Sequence, residues 1–103
     1  MRICFISRRF FPTVSGMSVY ALNLLRELVR LGHDVTLVSQ YYGGAAATVY
    51  GDGPPVHVPG VSTIGLEATG EQASGDFEGD IERIVRTVEV EHARAPFDVV
   101  HAQ

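Results

Sequence analysis

The sequence predicts an α/β fold: a parallel sheet with helices packed on it. Three observations predict it. Short apolar, β-branched runs recur at residues 2–7, 34–39 and 97–102. Between the first two lies a segment whose apolar residues repeat every three or four positions. A second segment of the same period precedes the last run. Strand, helix and strand within 39 residues make a βαβ unit, and such a unit requires parallel strands with a right-handed crossover.

The first run, Arg2-Ile3-Cys4-Phe5-Ile6-Ser7, has the length and composition of a strand buried on both faces. Arg8 to Ser15 reads as a loop broken by Pro12, and Gly16 follows. Met17, Ala21, Leu24, Leu25, Leu28 and Leu31 then mark one apolar helical face. Ser15 or Ser18 is the candidate N-cap, and Gly32 is the candidate left-handed residue that ends the helix. Asp34 to Ser39 is the second strand.

Gln40 to Pro55 reads as a loop, Val56-His57-Val58-Pro59 as a short third strand, and Gly60 to Gly75 as a long loop. Phe77, Ile81, Ile84, Val85, Val88 and His92 mark a second amphipathic helix, and Pro96 stops it. Asp76, Glu78, Asp80 and Glu82 crowd its first turns, where carboxylates favour the helix dipole. Phe97 to Ala102 begins another buried strand. No internal repeat or dividing linker is present.

Composition limits the chemistry. The chain has 103 residues, 46% of them hydrophobic and 19% charged, enough for one core but not two. Residues 1–33 carry five Arg and one Glu, whereas residues 34–103 carry three Arg against eleven acidic residues. The basic front can attract phosphates or an anionic membrane surface, or it is an imbalance on solvated faces. The acidic remainder argues against a nucleic-acid partner. There is no lysine, which removes both a Walker-type phosphate loop and Schiff-base chemistry. The single cysteine, Cys4, reads as a small buried hydrophobe; a reducing, cytoplasmic compartment is expected. No run approaches the ~20 apolar residues of a membrane span. Ser7-Arg8-Arg9-Phe10-Phe11 has the letters of a twin-arginine export signal. Pro12 and the charges at Arg26, Glu27 and Arg30 break the apolar segment that should follow it.

Ligands of open α/β sheets bind beyond the C-terminal strand ends. Ser7 to Gly16, the stretch after Ser39, and His101 to Gln103 should converge there. Ser15-Gly16 leads into a helix N-terminus, where backbone N–H groups and the dipole favour a phosphate. Gly16 admits close approach, or it is a turn glycine only. One glycine does not make the G-x-G-x-x-G of a dinucleotide site. His101, at a strand end, is a candidate general base or hydroxyl-binding residue, or a satisfied strand-end histidine. His33, His57 and His92 read as structural. No metal-ligand spacing and no cofactor motif is present.

Met1 to Ser7, the loop ending in Ser15-Gly16, the helix Ala21-Leu22-Asn23-Leu24-Leu25-Arg26-Glu27-Leu28, and Gly32-His33-Asp34-Val35-Thr36-Leu37-Val38 resemble the start of retaining glycosyltransferases of family 4. Phe97-Asp98-Val99-Val100-His101-Ala102 resembles that family's aspartate-valine-valine-histidine-alanine-histidine strand. The resemblance implies a GT-B fold, two Rossmann-like domains with the active site between them. Residues 1–103 would be part of the N-terminal, acceptor-side domain, an incomplete Rossmann-like sheet. The donor-binding domain would be absent, and the chain alone inactive. Gly16 would correspond to the second glycine of a Gly-Gly loop that approaches the donor diphosphate, with Ser15 replacing the first. His101 would be the family's first strand histidine, and Gln103 replaces its second. Implied partners are a nucleoside-diphosphate sugar and a sugar or lipid-linked acceptor, with peripheral membrane contact in view of the basic front; no metal or other cofactor is implied. A flavodoxin-like, non-catalytic module that binds a phosphorylated small molecule or a partner is the alternative.

Overall fold

The computed structural model describes residues 1–7, 16–41, 56–67 and 77–103. In chain order these form β1 (Arg2–Ser7), α1 (Gly16–Arg30), β2 (Asp34–Tyr41), β3 (Val61–Glu67), α2 (Phe77–Arg94) and β4 (Val99–Ala102). The four strands make one sheet in the order β3-β2-β1-β4, parallel throughout. The fold class is therefore that of the prediction, a Rossmann-like α/β sheet.

The two helices cover opposite faces. Strand side chains alternate, so one strand feeds two cores. Phe5, Val35, Leu37 and Val61 pack with Ala21 and Leu25 of α1. Cys4 and Val38 pack with Ile84 of α2 and with Phe97. β2 lies inside the sheet, and its residues from Val35 to Gln40 are all buried. That double burial explains its nearly continuous apolar run.

Turn chemistry sets the element ends. Gly32 has φ 88°. Its N–H donates to the Val29 carbonyl (2.9 Å), and the His33 N–H donates to the Leu28 carbonyl (3.1 Å). This is the paired-bond C-cap that needs a left-handed residue, as the sequence predicts for Gly32. Ser18 lies inside the first turn of α1 and is fully buried, so it is not the N-cap. Ser15 lies outside the described residues. α2 ends at Arg94, two residues before Pro96, which lacks the N–H a helix interior needs.

The third strand corrects the sequence reading. It runs from Val61 to Glu67, within the supposed loop 60–75, and not over Val56 to Pro59. Val58-Pro59-Gly60-Val61 is a tight turn, closed by the Val61 N–H on the Val58 carbonyl (3.0 Å). Gly60 has φ 81°, and Pro59 precedes it, the pairing that a type II turn favours. Proline cannot donate to a ladder, so pairing begins only after the turn. β2 likewise runs two residues past Ser39, because Gln40 and Tyr41 pair with Leu66 and Glu67. The remainder of both supposed loops, and Asp76, fall outside the described residues.

At the N-terminal edge, Arg2 ties three strands together. Its guanidinium pairs with Asp34 (2.9 Å), donates to the Pro96 carbonyl (3.3 Å) and lies 4.9 Å from the centre of the Phe97 ring. Its backbone N–H donates to the Asp98 carboxylate (2.8 Å), and the Asp98 N–H returns a bond to the Arg2 carbonyl (2.8 Å).

Candidate functional site

The strand order reverses at β1. From there α1 leads to β2 on one side, while β4 pairs with β1 on the other. A reversal of this kind opens a crevice at the C-terminal strand ends, where open α/β sheets take ligands. Of the three predicted segments, the first contributes the end of β1 and the start of α1, and the third the end of β4; past Ser39, β2 continues to Tyr41 and the rest of that stretch lies outside the described residues.

Each side chain there follows from strand alternation. Phe5 faces the α1 core, and Ser7, two residues on, shares that face. In the parallel register Phe5 lies opposite His101. The two rings stack, with centroids 4.8 Å apart and planes 23° apart. His101 is half-buried. It sits inside the strand, one residue before its end, and not at the rim.

Gln103 forms the rim. Its N–H donates to the Ile6 carbonyl (3.0 Å), which extends the β1–β4 ladder one step beyond β4. Its side-chain Nε2 donates to Ser7 Oγ (3.4 Å). Ser7 lies opposite Ser39 in the register, and both are fully buried. Ser18 joins them at the base of α1's first turn. It precedes the buried Ala21 and Leu25 at helical spacing and is itself fully buried, so it faces the sheet. Among the described residues, the α1 side of the strand ends is therefore lined by small hydroxyl groups and a carboxamide.

The structure brings together β1's end and His101, with Ser7 and Gln103, which the sequence reading placed in the converging segments, Gln103 in place of the family's second histidine. Gly16 is the first residue of α1. Ser15 lies outside the described residues. His33 and His92 stand at the opposite edge. His33 Nδ1 lies 3.2 Å from the terminal amine, and His92 Nδ1 accepts the Phe97 N–H (3.0 Å), fixing the turn into β4. His57 is exposed in the segment before the Pro59-Gly60 turn.

A hollow of about 280 Å³ lies between Leu66 and the Arg83, Arg86, Thr87 and Val90 side of α2. It adjoins the β3 edge on the other face of the sheet, away from the β1–β4 crevice. Among the described residues, no three His, Cys, Asp or Glu side chains are grouped to hold a metal ion. No helix among them is long and apolar enough to cross a membrane.

The fold agrees with what the chain is similar to. The family described as glycosyl transferase 4-like domain matches residues 15–103. No curated protein and no solved structure matches the chain. The family match begins at the entry to α1 and runs through β4, with β1 lying before it. With so large a part of the chain matched, the conclusion is direct: the chain belongs to the glycosyl transferase 4-like domain family.

Proposed function

We propose that the complete protein transfers a sugar from a nucleoside-diphosphate sugar to a sugar or lipid-linked acceptor, with retention of configuration. The observation that carries this reading is the family match over residues 15–103. Residues 1–103 would supply part of the acceptor-side domain, with the donor-binding domain lying outside them. By themselves they would transfer nothing.

Ser15 and Gly16 stand where the chain enters α1. The N-terminal N–H groups and positive dipole end of a 15-residue helix favour a diphosphate there. Gly16 presents no side chain to such a ligand, and Ser15 adds a hydroxyl beside it. His101 is the ionisable side chain that β4 brings to the crevice, as a general base or as a partner for a sugar hydroxyl. The reaction needs no redox cofactor, and no metal is assigned to it. The work would be done in the cytoplasm, with the basic front available for peripheral contact with an anionic membrane.

The test is turnover of the complete protein at saturating acceptor, alongside a thermal melt. Gly16→Val should lower kcat at least about tenfold, about 1.4 kcal/mol of transition-state stabilisation, with the melt nearly unchanged. Ser15→Gly should be tolerated. Full activity in Gly16→Val would separate this residue from the donor. Lost activity with an equally collapsed melt would make it a structural turn glycine.

A further inference from the structure

α2 hands the chain to β4 through the short turn from Ala95 to Asp98. Within it Phe97 is buried and packs with Cys4, Val38 and Ile84. The Phe97 N–H donates to Nδ1 of His92 (3.0 Å), which lies in the last turn of α2. An imidazole nitrogen accepts only while it carries no proton. This bond therefore selects the neutral ring with its hydrogen on Nε2. β4 itself is lightly held. Among the described residues it pairs with β1 alone, and Val99, Val100 and Ala102 are exposed. A strand with so few buried contacts belongs to the segments that open most readily.

We propose that His92 is an acid-sensitive latch on β4: the neutral ring holds the turn into the strand closed, and protonation of Nδ1 releases it. A proton and the Phe97 N–H compete for one lone pair. The closed turn is thus favoured with the proton off, and a fall in pH favours the open turn. Histidine is the side chain that changes charge between pH 5 and 8, so the competition falls near neutrality. The surrounding charges divide into two groups. Glu89 lies one helical turn before His92, Glu91 pairs with Arg94 (3.1 Å), and the C-terminal dipole end of α2 favours a cation. All of these belong to α2 and act on the ring whether the turn is open or closed. Arg2 of β1 and Asp98 of the turn bear on it in the closed state. The guanidinium carbon of Arg2 lies 4.9 Å from the centre of the Phe97 ring, and the His92 ring centre lies 6.2 Å from it. Arg2 therefore opposes a second cation beside Phe97. The Asp98 carboxylate already accepts the Arg2 N–H (2.8 Å), and Asp34 pairs with the guanidinium (2.9 Å). Release of the turn loosens the strand that carries His101, whose ring stacks on Phe5. The inference stands apart from the sugar reading, since it concerns how β4 is held and not what the crevice takes.

Hydrogen exchange of the complete protein reads the latch. It is followed in peptides spanning residues 97–103 and corrected for the pH dependence of the chemical step. His92→Asn places a carbonyl oxygen where Nδ1 stands, an acceptor that does not titrate in this range. His92→Phe removes the acceptor at every pH. From about pH 7.5 to about pH 5.5, opening of the wild type should rise at least about threefold, and that of His92→Asn by less. His92→Phe should already open at the higher pH as the wild type does at the lower. A smaller rise in the wild type, an equal rise in His92→Asn, or wild-type protection in His92→Phe at the higher pH overturns the inference. Should His92→Asn fail to fold, nitrogen-15 spectra of the wild-type ring decide. A bare Nδ1 near neutrality, with the Phe97 amide shift following its protonation, supports the latch. A protonated Nδ1 there, or a Phe97 amide indifferent to pH, overturns it.

Discussion

Cys4 and Phe5 are consecutive in β1, both fully buried, on opposite faces of the sheet. The thiol carries a testable consequence. Burial pushes its pKa up, and the opposing attraction of Arg2 is smaller. The folded thiol thus holds its proton at pH values where the unfolded thiol, near its ordinary pKa of about 8.5, releases it. Its contribution to stability is complete below that pH and falls as pH rises through it. Urea midpoints should therefore decline above about pH 8.5 more steeply in the wild type than in Cys4→Ala. Parallel curves for the two proteins would show that the thiol does not ionise differentially. The same burial should make Cys4 unreactive to iodoacetamide until the chain unfolds. The buried role of Cys4 was legible in the apolar run around it. The stacking of His101 on Phe5 was not, because it depends on a strand pair almost a hundred residues apart in sequence.

At the scale of elements, the Pro59-Gly60 turn is the informative case. Gly60 has φ 81°, and a Cβ added there would lie 2.7 Å from Val29 Cγ1 of α1. Val29 is β-branched and stiff in a helix, so it cannot swing aside cheaply. Gly32 has a similar φ of 88°, but open space surrounds the position of its Cβ. Gly32→Ala should cost about 1–2 kcal/mol, the backbone strain alone. Gly60→Ala should cost more, because the clash adds to that strain. In a double-mutant cycle, Val29→Ala should recover part of the Gly60→Ala loss. Additive losses, or equal costs at the two glycines, would remove Val29 from the account. The position of Gly32 was readable from one helix ending in Gly-His before a strand. Gly60 was legible only as a loop glycine; its close approach to Val29 was not, since Val29 belongs to a different element. The strand that follows, Val61 to Glu67, has an ordinary β-branched start. Scattered Gly, Ser and Thr residues hid it from a reading based on continuous apolar runs.

For the whole molecule, β4 is the decisive strand. It closes one edge of the sheet, and Val99 and Val100, on its two faces, are 42% and 49% exposed. A parallel strand with both faces this open is unusual, since such strands are normally covered on both sides. An open edge with apolar residues also invites pairing with another chain. Residues 1–103 produced alone should self-associate, and Val100→Lys should reduce that association. Light scattering across a concentration series reads the result. A monomer at all concentrations would contradict the expectation. Sugar transfer by this piece alone, detected with a radiolabelled donor, would contradict the proposed division of labour between two domains.

Local chemistry is what the sequence could decide without help. Strand and helix periods, the left-handed Gly32 and the stop at Pro96 each depend on residues within a turn or two of one another. The parallel direction of β1 and β2 follows as well, because a single helix between two strands leaves little alternative. Tertiary structure alone decided the order β3-β2-β1-β4. With it came the placement of Ser7 beside Gln103 and of His101 beneath them. No local period encodes which edge of β1 receives a strand from the far end of the chain. That choice is made by burial of Cys4, Val38, Ile84 and Phe97 in one core under α2, and the crevice forms where the choice is made.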